Sequence, residues 1–158
     1  MEGRPPAARP HDQAVQQARE PSPLPQDGRV AAELKTYRVT GTVTLNRDED
    51  DGDVHLALEA NGAQLIAEAP EPGCTPNSRD RDEMNAARLV AQDVPVGAKV
   101  VAVGIGFFDF KHGQTGHANN YIELHPLISL RRLSRLQCVM AKERSSFVTS
   151  GVFSSDCA

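Results

Sequence analysis

Between residues 34 and 130 apolar and polar positions alternate in short runs, whereas the flanking stretches carry no period. Tyr37-Arg-Val-Thr-Gly-Thr-Val-Thr-Leu45 puts Val39, Val43 and Leu45 on one face and Arg38, Thr42 and Thr44 on the other. Gly41 falls mid-run, where glycine marks a bulge or a barrel bend. After the acidic turn from Asn46 to Gly52, Asp53-Val-His-Leu-Ala-Leu-Glu59 alternates cleanly. Val54, Leu56 and Leu58 point inward there, and Asp53, His55 and Glu59 outward. Asn61-Gly62 is a two-residue hairpin signal, because both positions tolerate positive φ. The returning strand runs from Ala63 to Ala69 and stops at Pro70-Glu-Pro-Gly73.

From Ser78 to Gln92 the period becomes helical, with Met84, Ala87, Leu89 and Ala91 apolar and Ser78 or Asp80 as N-cap. Val94-Pro95-Val-Gly97 ends the helix. Lys99 to Asp109 is a long apolar strand containing Gly104 and Gly106, as expected where a barrel strand bends. A polar, glycine-rich loop from Lys111 to Asn120 leads to Tyr121-Ile-Glu-Leu-His125. Pro126 then interrupts the run before Leu127-Ile-Ser-Leu130. Three strands, a helix and two strands is the order of the five-stranded OB barrel. The fold expected is mainly β, an OB-like barrel over residues 34–130, with an SH3-like barrel or half-open sandwich as competitor. Residues 1–30, rich in Pro, Ala, Gln and charge, are expected as a disordered arm. Residues 131–158 read as a basic, Ser-rich tail, poorly structured or short-helical through Leu133, Leu136 and Val139 or Met140.

Charge narrows the uses of such a barrel. Thr36 to Leu130 holds seven lysines and arginines against fourteen aspartates and glutamates, a net of −7. The whole chain carries −4, so the tails hold the balancing positive charge. Phosphate contacts dominate nucleic-acid affinity, so an acidic barrel disfavours that partner, leaving only weak binding through Arg131, Arg132 and Arg135. No apolar run reaches the ~18 residues of a membrane span. The N-terminus carries no signal-peptide core, which reads as cytoplasmic, or as exported if the cellular start differs. Cys74, Cys138 and Cys157 form neither a CxxC pair nor a zinc-type spacing, and read as free thiols.

Asp53 and His55 are two apart on a strand and leave the same face; Glu123 and His125 repeat that spacing on the last strand. Glu68 ends the third strand, and Asp109 and His112 flank the loop before the last. If these faces adjoin, His55, His125, Glu123 and Asp53 can hold a divalent transition metal with a position open for water. Such a site would suit a metal-dependent hydrolase acting on a phosphodiester. The same patterns arise from cross-strand pairing on a sheet face. The expectation placed first is a non-enzymatic module binding a polar ligand or protein partner. Its surface would comprise Asp53, His55, Glu68, Asp109, His112, Gln114, Asn119, Glu123 and His125. His11 and His117 read as plain solvent residues, Gly104-x-Gly106 is no phosphate loop, and Ser145 and Ser146 lack a His/Asp partner.

Three stretches carry a resemblance. They are Asp53-x-His55-Leu with Ile66-Ala-Glu68-x-Pro70, then Phe107-Phe-Asp109-x-x-His112-Gly-Gln114-x-Gly116-x-x-Asn119, then Glu123-Leu-His125-Pro126. In this order, over Tyr37 to Leu130 and including Ala87-Arg88, they resemble a group of small bacterial proteins, many exported, without an established activity. The resemblance implies an OB-like barrel and no reaction. Members of that group often begin with an export signal and usually end shortly after the Glu-Leu-His-Pro stretch; this chain differs in both respects.

Overall fold

The computed structural model describes residues 14–23, 28–60, 62–111 and 113–134. Five strands close into a barrel: β1 (Thr36–Asp48), β2 (Val54–Ala60), β3 (Ala63–Ala69), β4 (Lys99–Phe108) and β5 (Ile122–Arg132). Around the barrel the order is β1-β2-β3-β5-β4, and β4 returns to pair with β1 from Thr36↔Ile105 to Thr42↔Lys99. Neighbours are antiparallel except β3 and β5, which run parallel where Ala67 meets Leu124. A short 3-10 helix (Pro72–Cys74) and one α-helix, α1 (Arg81–Asp93), lie between β3 and β4 in sequence. This is the five-stranded OB architecture that the strand order predicts, now with its closure visible.

The inward residues follow the alternation. Val39, Val43, Val54, Leu56, Leu58, Leu65, Val100, Ile122, Leu124, Leu127 and Leu130 pack into one core with Ala87 and Ala91 of α1. Leu45 is only partly buried, because the β1–β2 register shifts between Val43 and Leu45 and breaks the period there. Leu89, read as part of the helical stripe, is exposed; the buried stripe is Met84, Ala87 and Ala91, spaced for one helical face. Arg88 ties the helix to the barrel, donating to the carbonyls of Ala69 (2.9 Å) and Gly52 (2.6 Å). The Asn46 amide donates to the Ala91 and Val94 carbonyls, which the helix end leaves without intrahelical partners.

Pro126 does not interrupt the last strand. β5 continues through it because the β4–β5 register is irregular between Val103 and Gly106, so no ladder amide is required at the proline. Gly104 lies under this irregularity: a Cβ there would stand 2.8 Å from both Leu124 Cβ and the Pro126 carbonyl oxygen. β5 also reaches beyond Leu130, pairing Arg131 and Arg132 with Val101 and Val100, so two of the basic residues assigned to the tail belong to the barrel.

Within the expected N-terminal arm, residues 14–23 lie against the barrel. Val15 is fully buried in the core cluster, and the Asn120 amide donates to the carbonyls of Val15, Gln16 and Ala18. Ala18 packs on the same cluster and Glu20 pairs with Lys111 Nζ at 2.9 Å; so few contacts are too sparse a signal for periodicity. The rest of the arm (residues 1–13 and 24–27, with His11), Asn61, and the tail from residue 135, with Arg135, Cys138, Ser145, Ser146 and Cys157, lie outside the described residues. Cys74 is free and exposed.

Gly104→Ala should destabilise the barrel by about 1–3 kcal/mol, the usual cost of forcing extra volume into a packed site. Urea denaturation checks this, and an unchanged midpoint would show that the β4–β5 irregularity has room to spare.

Candidate functional site

The outward residues of β2, β3 and β5 meet on one face of the barrel, and Glu68 of β3 stands between the other two strands. One of its carboxylate oxygens, Oε1, lies 2.9 Å from His55 Nδ1; the other, Oε2, lies 3.0 Å from His125 Nδ1. His55 and Glu68 are directly opposite in the β2–β3 register. His125 reaches the same carboxylate from the far side. Glu123 Oε1 is 3.2 Å from His125 Nδ1, and Asp53 Oδ2 is 3.5 Å from His125 Nε2. Glu49, in the turn between β1 and β2, brings Oε1 to 3.3 Å from His55 Nδ1.

Five of the residues anticipated from sequence are therefore gathered: Asp53, His55, Glu68, Glu123 and His125. β2 and β5 themselves are not neighbours, and the gathering works because β3 separates them by one strand. Glu49 was not anticipated. Its signal was only its place in an acidic turn, which does not say which carboxylate folds back over β2. Asp109 and Gln114 engage each other: the Gln114 amide donates to Asp109 Oδ2 (2.5 Å) and to the Phe110 carbonyl (2.7 Å). Asn119 is exposed on the same loop, and His112 lies outside the described residues. His117 is not a plain solvent residue; its ring stacks on Tyr121 with centroids 4.4 Å apart.

His55 points away from the core yet is only 1% exposed. The loop between β4 and β5 covers it. Gly116 sits against Ala57, where any Cβ would collide, and its φ of +87° places it in the left-handed region. That close approach brings the Thr115 carbonyl to 3.1 Å from His55 Nε2. A carbonyl oxygen can only accept, so Nε2 carries a proton. Phe107 and the His125 ring form a T-shaped pair, centroids 5.7 Å apart and planes 72° to each other.

The electrostatics follow from burial set against these contacts. Burial alone would raise the Glu68 carboxyl, but hydrogen bonds from His125 and His55 outweigh it and hold the pKa at about 2. For His125, burial works against the charged ring, and hydrogen bonds to Glu123 and Glu68 overcome it, raising the pKa to about 10. His55 is likewise raised, burial being outweighed by Glu68 and the Thr115 carbonyl. Glu123 is pushed up to about 7, chiefly by burial and further by the charges of Glu68 and Asp109 against the pull of His125. Burial also raises Asp53, although its Oδ1 accepts the Glu71 amide at 2.8 Å.

The donor set suits a metal ion. Nδ1 of each ring faces an oxygen of Glu68, which stays ionised and so can only accept; each Nδ1 therefore holds a proton or a cation. A tetrahedral ion at ~2.0 Å from each ligand places two ligand atoms ~3.3 Å apart, close to the 3.0–3.3 Å found between His125 and Glu68 and between His55 and Glu49. Two triads have donor atoms within 4.8 Å of one another: Glu49, His55 and Glu68, and Asp53, Glu68 and His125. The Nε2–H of His55 on a backbone carbonyl is the arrangement that orients a metal-ligating imidazole.

No protein-family model matches the sequence, and no curated protein matches it. Solved structures share parts of its shape. A TiaS–tRNA–ATP complex matches 57% of this chain at 21% identity and a TM-score of 0.35. An aspartyl-tRNA synthetase from Entamoeba histolytica matches 96% at 12% identity and 0.47. A tRNA fluorescent labeling enzyme matches 70% at 13% identity and 0.32. The matched parts amount to 16%, 30% and 31% of those chains, so this chain spans less than a third of each.

Stability of chelator-treated protein should follow the three strongly shifted groups. Glu68 is held below its ordinary 4.5, so its contribution is complete above that pH and fades as pH falls towards 2. Glu123 is raised, so its contribution is lost as pH climbs from 4.5 to about 7. His125 is raised, so its contribution is lost between 6.5 and about 10. The urea midpoint should therefore fall from about pH 5 to about pH 9, and His125→Gln should flatten the upper half of that fall. A midpoint that rises over this range would contradict the assignment.

Proposed function

We propose that this protein is an OB-type binding module whose ligand is a divalent transition-metal cation, held by the imidazoles of His55 and His125 and the carboxylates around Glu68. The observation that carries this reading is the ionised Glu68 carboxylate facing Nδ1 of both rings: where no proton sits on Nδ1, only a cation can stand between it and Glu68. Late first-row ions suit mixed imidazole and carboxylate donors. Binding exchanges protons for metal, so uptake releases protons and strengthens with pH.

The location supports the same conclusion. In OB barrels the face of β2 and β3, with the loops joining β1 to β2 and β4 to β5, is where ligands sit. Here that face holds Glu49 from the first loop and is walled by Thr115 from the second. Four carboxylates on it oppose a phosphate backbone. Recognition of a neutral polar ligand through the second loop is less well supported, since Gln114 is buried and its amide is engaged with Asp109 and Phe110.

Metal analysis of protein purified without a polyhistidine tag, followed by calorimetric titration of chelator-stripped protein with zinc or manganese, tests the proposal. Wild type should bind stoichiometrically, and His55→Ala or His125→Ala should weaken binding at the affected position by at least about 100-fold, above the 10–100-fold lost with an outer-shell partner. Wild-type protein that takes up no metal, or variants that bind as wild type does, would overturn it.

A further inference from the structure

We infer that the site holds two divalent ions rather than one, with the Glu68 carboxylate as the bridge between them. This rests on the metal-binding reading and sharpens it. The two donor triads, Glu49–His55–Glu68 and Asp53–Glu68–His125, have only Glu68 in common. They use opposite oxygens of that carboxylate: Oε1 faces His55 at 2.9 Å and Oε2 faces His125 at 3.0 Å. A carboxylate that gives one oxygen to each of two ions sets them at the ~3.5–4 Å spacing of two-metal sites. A single ion would occupy one triad and leave the other imidazole facing carboxylates through its proton.

Charge is compatible with that count. Glu49, Asp53, Glu68 and Glu123 supply four negative charges around the two rings when ionised. Two divalent ions with neutral imidazoles balance that set without a second proton on either ring or one on Glu123. Glu123 Oε1 stands 3.2 Å from the same His125 nitrogen as Glu68, whereas Asp53 faces the other ring nitrogen, Nε2, at 3.5 Å. The outer limits of the cluster are its most accessible members, the side chains of His125 at 32% and Glu49 at 26% exposure, so each ion has a route from solvent.

The test counts ions and asks whether they sense each other. Tag-free, chelator-stripped protein is loaded with manganese, the bound metal is measured per chain, and the electron paramagnetic resonance spectrum is recorded. Two ions per chain with an exchange-coupled spectrum is the expected result. Glu49→Gln, a partly exposed change on the turn, should retain one ion with the six-line spectrum of isolated manganese; His125→Asn should do the same from the other side. Circular dichroism and urea denaturation establish that each variant is folded, and Glu49→Gln still tests the proposal if His125→Asn is not. One ion per wild-type chain overturns the two-ion centre and leaves a mononuclear site. Two uncoupled ions, or two ions insensitive to both variants, also overturn it by placing metal elsewhere. No bound ion overturns this inference and the metal-binding reading together.

Discussion

A single carboxylate, that of Glu68, organises the outer face of this barrel. Each of its oxygens faces an imidazole, His55 from β2 on one side and His125 from β5 on the other. Removing charged groups from water is expensive unless each is matched by an opposite charge and a hydrogen bond. Here the matching runs across three strands, so the register of β2 on β3 and the parallel contact of β3 with β5 must both be right before both oxygens of Glu68 are matched. The loops inherit that order. Glu49 folds over His55 from the first loop, and Thr115 meets the same ring from the second because Gly116 can press onto Ala57.

The face that results differs in chemistry from a nucleic-acid surface on the same architecture. OB barrels that hold single strands combine positive grooves with aromatic platforms. This barrel places acidic side chains there, and Phe107 stands nearly at right angles to His125 with the Arg29 guanidinium over its ring. Two other carboxylates are spent on structure: buried Glu33 accepts the backbone amides of Val30 and Phe108, and half-buried Asp109 accepts from Gln114. The carboxylates of Glu49, Asp53, Glu68 and Glu123 are different, because all of them converge on imidazole nitrogens.

Much of the fold was legible in the chain because alternation reports side-chain direction directly. The β2 pattern at Val54, Leu56 and Leu58 and the hairpin at Gly62 led to the observed pairing, and the helix between β3 and β4 led to the topology. The site was legible in part for the same reason: Asp-x-His and Glu-x-His put each pair on one face. Alternation says which side of the sheet a residue takes, but not whether a distant loop covers it. His55 was therefore read as outward without its burial under Thr115. Glu49 and the bracing of the N-terminal segment by Asn120 were missed because single contacts between segments far apart in sequence leave no periodic trace. Pro126 was read as a break because the register shift that accommodates it is a property of the paired strand.

The most direct test of Glu68 as the shared partner of both rings is nitrogen-15 NMR of the imidazoles in metal-free protein. At neutral pH His125 should carry protons on both nitrogens and titrate near 10, and His55 should have a protonated Nε2. In Glu68→Gln both rings should move together. Rings that titrate independently near the ordinary 6.5, with no response to Glu68→Gln, would show that the carboxylate does not join them and would contradict the account.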